Sequence, residues 1–398
     1  MRIKEIRAVL IDIAPRPTTK PRTHRLAEGA EFISPMSRYP EFIRRRAWRP
    51  PANKWKRVAC VATADDGTWG MGLTVYGGPV ARIINDHFAP ILVGQNCMAT
   101  TKLWDLMNRM ASPYSSAGLA SYAISAVDTA LWDLKGKLLK RPVYELLGGP
   151  QKDKIFCYAS NTNLSYGFEA SVEWCMELGF KATKVFLTHG PAEGLDGLRK
   201  NVAMVARARD IVGDSVELMV DCWMALDLEY AVRLVEELRP HKIKWVEDCL
   251  IPEDLEGYVK LRQRLPWQTL ATGEHWYTSY PFAKAASQGL VDILQPDVLW
   301  AGGITCCTRI CHIAESFNLS VITHAGMNYP YGQHLAYAMP AIPWGERSEG
   351  VSPPGVPLEE MVALPGTAVI VDGYLVPSDA PGFGLEVTEE WLESAAAR

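Results

Sequence analysis

The chain has 398 residues, 48% of them hydrophobic, a net charge of −4 and nine cysteines. That supports a large core and exceeds what one small domain needs, while the near-neutral charge excludes a general nucleic-acid binder and no apolar run approaches the roughly 18 residues of a membrane helix. Nine thiols without a CxxC pair argue against a disulfide framework or a zinc ribbon, so reduced, mostly buried cysteines and a cytoplasmic location are expected.

In chain order, residues 3–13 alternate like a strand, since the stretch around Val9 is too short and interrupted for a signal peptide. Residues 55–75 read as a hairpin turning at Asp66-Gly67. Apolar residues then recur at i, i+3 and i+4 over 80–92, 101–110 and 119–139, so residues 1–125 form an α+β unit. Two linkers are possible covers for a site: 15–48, leading into Arg44, Arg45, Arg46 and Arg49, and the turn at Tyr76-Gly-Gly. A charge run of this kind is usually a solvated face, although one arginine could grip a carboxylate bidentately.

From Lys154 the pattern becomes strand and helix in alternation. Strands are expected at 155–159, 183–187, 216–222, 243–248, 269–274, 293–298 and 320–324, with helices at 168–178, 195–212, 228–238, 255–264, 280–288 and 304–317. Seven such units predict a parallel barrel with right-handed crossovers over residues 126–350. A doubly wound open sheet is the alternative, but polar residues close nearly every strand, whereas an open sheet gathers its site at one switch point. A Pro-rich stretch at 340–365 and a hairpin at 368–377, turning at Asp372-Gly373, make residues 351–398 a tail expected to return to the first unit.

Three of the expected strands end in acids, Asp221, Glu247 and Glu274, spaced by 26 and 27 residues. Parallel strands present all three at one end, the functional end of a barrel. Converging carboxylates repel one another unless a cation lies between them, and an all-oxygen set suits a hard ion such as Mg²⁺. Asp297 and His324 continue the same period, so Asp297 can hold one imidazole nitrogen while the other takes a proton. A metal beside a positioned base suits abstraction of a proton α to a carboxylate. Cys222 and Cys249, next to these acids, read as small packing residues.

With these sets in place, the chain resembles the enolase superfamily in its mandelate racemase branch. Ser125-Ala-Val-Asp-Thr-Ala-Leu-Trp-Asp-Leu-Lys-Gly-Lys137 and Pro142-Val-Tyr-Glu-Leu-Leu-Gly148 are similar to that family's signature. Asp221-Cys-Trp-Met224, Gly273-Glu-His275, Ser34-Pro-Met-Ser-Arg-Tyr39 and Gln295-Pro-Asp-Val298 resemble its rhamnonate dehydratase group.

The resemblance implies an N-terminal capping domain over a modified (β/α)7β barrel, Mg²⁺ on Asp221, Glu247 and Glu274, and catalysis by His324 with Asp297. It further implies a carboxylate-contacting acid at Glu346 and substrate contacts from Arg46, His24, Lys184 and His275. Racemases of the branch carry Lys-x-Lys where this chain has Lys184-Val-Phe186, and Phe186 cannot accept a proton. Single-face dehydration of an aldonate to a 2-keto-3-deoxy acid is therefore expected, the substrate being L-rhamnonate or a relative such as L-lyxonate or L-mannonate, in a homo-oligomer. The alternatives are an epimerase or cycloisomerase of the same superfamily and a non-catalytic metal-binding barrel. A metal hydrolase barrel would place His-x-His on its first strand, and residues 157–161 offer none.

Overall fold

In the computed structural model, which describes residues 1–20, 32–43, 55–161, 166–348 and 351–398, two units pack against each other. His24, Arg46 and the neighbouring arginines Arg44, Arg45 and Arg49 lie outside the described residues. In the first unit β1 (Ile3–Ile11), β2 (Arg57–Ala64) and β3 (Trp69–Thr74) form an antiparallel sheet in that order, with Gly67 at φ +89° turning the hairpin. Helices α1 (Gly77–Arg82) and α2 (Ala89–Leu92), joined by a π-helical turn (Ile83–Phe88), lead to α3 (Thr100–Ala111) and α4 (Leu119–Leu139).

Helix α4 is buried along most of its length. It runs unbroken through residue 125. The reason it lies so close to β3 is in the strand's sequence: a Cβ on Gly70 or Gly72 would strike the α4 backbone at Ala126, Ala130 and Leu134. Strand and helix meet backbone to backbone, which only glycine permits.

After α5 (Val143–Leu146), eight parallel strands follow: β4 (Ile155–Asn161), β5 (Ala182–Phe186), β6 (Glu217–Asp221), β7 (Val246–Glu247), β8 (Leu270–Thr272), β9 (Ile293–Leu294), β10 (Ser320–Val321) and β11 (Trp344–Arg347). Between them run α6 (Phe168–Glu177), α7 (Gly194–Val212), α8 (Leu228–Leu238), α9 (Leu255–Arg264), α10 (Tyr280–Gln288), α11 (Gly303–Ser316) and α12 (Pro330–Ala338). Strands β4 to β10 pair in sequence order, and β11 returns to pair with β4. The sheet is curled, as a (β/α)7β barrel requires, and has no switch point. Between β10 and β11 a single bond from Val321 N to Ala341 O, 2.8 Å, bridges the gap.

In residues 351–398, β12 (Tyr374–Leu375) adds antiparallel to β4. The turn before it has Asp372 at φ +49° and Gly373 at φ +76°, the two left-handed residues of a tight hairpin. The last helix, α13 (Glu389–Ala397), lies on β1, and Asp12 N donates to Ala395 O. Among the described residues no helix is long and apolar enough to cross a membrane. All nine cysteines are free and buried.

Candidate active site

The barrel is filled in layers. Tyr158, Ala182, Met219, Trp245, Ala271, Ile293 and Ile322 form one buried cluster, with Trp344 packed on it, one side chain from each strand or its immediate flank. Side chains alternate along a strand, so the residues two positions further on point into the barrel one layer higher. For most strands those residues are polar: Ser160, Lys184, Asp221, Glu247, Gln295, His324 and Glu346. An apolar floor thus carries a polar layer at the C-terminal end of the strands. Glu274 joins it from the residue after Gly273, where the chain has left β8.

The polar layer is crowded with charge. Lys184, fully buried, lies 2.9 Å from Asp221 Oδ2 and 2.9 Å from Glu346 Oε1, and also pairs with Glu247. Glu247 accepts from Trp245 Nε1 at 3.0 Å and from Gln295 Nε2 at 2.7 Å. Glu274 accepts from Trp223 Nε1 at 3.1 Å and lies 3.0 Å from His275 Nδ1 and 3.3 Å from His324 Nε2. His324 Nδ1 is 2.8 Å from Asp297 Oδ2, and Glu346 accepts from Ala325 N at 2.8 Å.

Burial pushes Asp221 up to about 6 and Glu247 up to about 8, even with Lys184 beside them. Burial alone would lower the His324 pKa, but Glu274 and Asp297 raise it well above its ordinary value. Glu274 moves the opposite way, held low against its burial by His324 and His275.

Of the residues singled out in the sequence, Asp221, Glu247, Glu274, Asp297, His324, Glu346, Lys184 and His275 all stand in this one cluster. Within it Asp221 and Glu247 close on Lys184, whereas the ligand atoms of Glu274 lie within 4.8 Å of those of Asp248 and His275. Asp248 is an addition that the sequence reading passed over. It follows an inward Glu247 and would point outward on a regular strand, but its φ of +47° ends β7 and turns it into the cluster. Burial raises its carboxyl to about 7. Gln295 is a second addition, and the register two residues beyond Ile293 was its available signal.

The donor set fits a divalent cation. Among the described residues, six carboxyl groups (Asp221, Glu247, Asp248, Glu274, Asp297 and Glu346) face Lys184 and two imidazoles. Asp221 Oδ2 and Glu346 Oε1 are buried without a hydrogen bond, near Lys184 but outside hydrogen-bonding geometry. Hard anionic oxygens in excess of local positive charge are what Mg²⁺ binds.

One edge of the cluster is aromatic. Phe186 stacks with Phe32 at 4.8 Å, and Phe32 meets Trp223 edge-on at 5.5 Å. At position 186 the cluster therefore meets a phenyl ring and not a base.

Residues 168–391 match the enolase C-terminal domain-like family and residues 52–148 match the mandelate racemase / muconate lactonizing enzyme N-terminal domain; the chain belongs to this branch of the enolase superfamily. Among individual proteins it is 39% identical over 366 residues to L-rhamnonate dehydratase of Saccharopolyspora erythraea, across 90% of this chain and 89% of that one. A crystal structure of rhamnonate dehydratase from Gibberella zeae complexed with Mg matches at TM-score 0.87 and 31% identity, across 99% and 95% of the two chains. The 3,6-anhydro-D-galactonate cycloisomerase from Zobellia galactanivorans matches at TM-score 0.77 and 27% identity, across 99% of each chain.

Proposed function

We propose that this protein is a Mg²⁺-dependent sugar-acid dehydratase that converts L-rhamnonate, or a stereochemical relative such as L-lyxonate or L-mannonate, to its 2-keto-3-deoxy acid. The observation that carries the reading is the His324–Asp297 pair standing at the edge of an acid cluster with an excess of negative charge. The likeness to two L-rhamnonate dehydratases supports the substrate class. Asp221, Glu247 and Glu274 would hold the metal, with Asp248 and His275 beside Glu274. When bound, Mg²⁺ neutralises the negative charge that develops on the substrate carboxylate as its α proton leaves.

The protein's own groups supply the rest. Asp297 anchors Nδ1 of His324 and leaves Nε2 to take the C2 proton. The C2–H electron pair moves toward the carboxyl group and then into a C2=C3 bond as the C3–O bond breaks. The imidazolium returns its proton to the departing hydroxyl, which leaves as water, and the enol becomes the 2-keto acid. Lys184 and Glu346 meet at the carboxylate end, where the ammonium offsets the acid's charge. Phe186 offers no proton acceptor at its position, so dehydration is favoured over epimerisation, which works from both faces.

The test is a screen of purified protein with Mg²⁺ against six-carbon, 6-deoxy and five-carbon aldonates, with the keto product trapped by semicarbazide. Keto acid from an L-rhamnonate-type substrate is expected. An epimerised acid without a keto group, or no turnover across the panel, would overturn the reading.

A further inference from the structure

Loop 298–302 carries the other wall of the site, and side chains of the first unit hold it. Thr74, from β3, donates Oγ1 to Leu299 O at 2.7 Å. Trp104, from α3, donates Nε1 to Gly302 O at 2.8 Å. On α4, Ser125 Oγ accepts from Gly302 N at 2.8 Å, and Asp128 accepts from Thr305 N at 2.9 Å and from Thr305 Oγ1 at 2.6 Å. All four clasping side chains are buried. Buried hydrogen bonds of this kind are hard to exchange for water, so the loop has one arrangement while the clasp is closed.

What the loop presents is directed at the His324 pair. Leu299 N donates to Asp297 Oδ1 at 2.6 Å, and Ala301 N donates to Asp297 O at 2.8 Å. Between them Trp300 lays its indole against the His324 ring, with centroids 4.7 Å apart at 44°. Behind Trp300 stands Tyr122 of α4, at 5.8 Å, and beside it His275, at 5.5 Å. The imidazole is thus fixed in its plane by Asp297 and backed across its face by Trp300. Both supports belong to, or are tied into, the clasped segment.

We propose that Trp300 is a positioning residue for His324, and that Thr74, Ser125 and Asp128 of the first unit act through it and through Asp297. This rests on the dehydratase reading for its kinetic readout only. The first unit then does more than cover the substrate: it sets the aim of the proton-transferring nitrogen, and a misaim of a fraction of an ångström reaches the rate directly.

The test uses the full-length protein with Mg²⁺, labelled at histidine carbons, and the variants Trp300→Phe, Trp300→Ala, and the near-isosteric pair Thr74→Val with Ser125→Ala. The His324 signal is assigned by its loss in His324→Asn. In Trp300→Ala, kcat should fall about tenfold or more at unchanged KM, because the transition state loses an interaction that binding does not use. Trp300→Phe should recover most of that rate. The clasp double variant, which touches neither His324 nor substrate, should move the His324 imidazole signal and lower kcat in the same direction. A rise in KM with kcat retained would make Trp300 a substrate contact and overturn the proposal, as would an imidazole signal in the clasp variant identical to wild type. Should no aldonate turn over in any form, the dehydratase reading fails and the imidazole signal alone decides this one.

Discussion

His324 is half-buried and His334 fully buried, and their surroundings send them in opposite directions. His324 faces Glu274 and Asp297 and is raised, whereas His334 has Tyr144 N donating to its Nδ1 and two aromatic neighbours, and burial pushes it down to about 3. For His334 the sign follows from linkage: the unfolded chain takes up a proton below its ordinary value of 6.5 and the native state does not, down to about 3. Its contribution is complete above pH 6.5 and is lost as pH falls through that window, at up to about 1.4 kcal/mol per unit. Urea titrations at pH 7 and pH 5 should show a smaller loss of stability in His334→Gln than in wild type; equal losses would remove His334 as the cause. At His324 the expectation concerns chemistry. His324→Asn should abolish both dehydration and C2 proton exchange with solvent while the circular dichroism spectrum stays native. Exchange that persisted would assign proton abstraction to another group.

At the scale of elements, the Asp372-Gly373 turn places β12 on β4 through two left-handed residues. Gly373→Ala should cost about 1 kcal/mol or more, since an L side chain there meets the penalty glycine avoids, and a lowered urea midpoint at unchanged slope would report it. This turn was legible in the sequence because Asp-Gly between alternating residues carries its own backbone geometry. So were the barrel order and the five polar positions recurring every 23 to 27 residues, since one strand, one helix and two turns repeat at a similar length. Other features were not legible for physical reasons. Strand β11 is four residues long and its Trp-Gly-Glu-Arg shows no run of β-branched residues, so only family likeness pointed to Glu346. Strands expected at 243–248, 293–298 and 320–324 shrink to two residues each, and at the first of them the positive φ of Asp248 ends the strand and turns the chain inward. That turn brings Asp248 into the cluster. Trp300 was invisible for a different reason: its role depends on contacts from Tyr122 and the α4 clasp, far away in sequence.

For the whole molecule, the acid cluster links metal, stability and rate. Six carboxyl groups, three of them on Lys184, crowd one cluster and repel one another in the native state, and a cation that binds only the folded chain stabilises it by mass action. Adding Mg²⁺ to chelator-treated protein should raise its unfolding free energy by about 2.7 kcal/mol at 100 times Kd, and the midpoint should follow the metal concentration. EDTA should remove activity and Mg²⁺ restore it; indifference of both readouts to chelator would remove the metal from the account. One feature makes such binding visible without any added probe. Three indoles touch this centre: Trp245 donates to Glu247, Trp223 donates to Glu274, and Trp300 lies on the His324 ring. A ligand that enters the barrel mouth should change the field felt by the indole whose partner it meets. Ultraviolet emission, diluted by the remaining indoles of the thirteen, becomes an intrinsic gauge of occupancy. Replacing Trp245, Trp223 and Trp300 one at a time would then tell which end of the ligand has arrived.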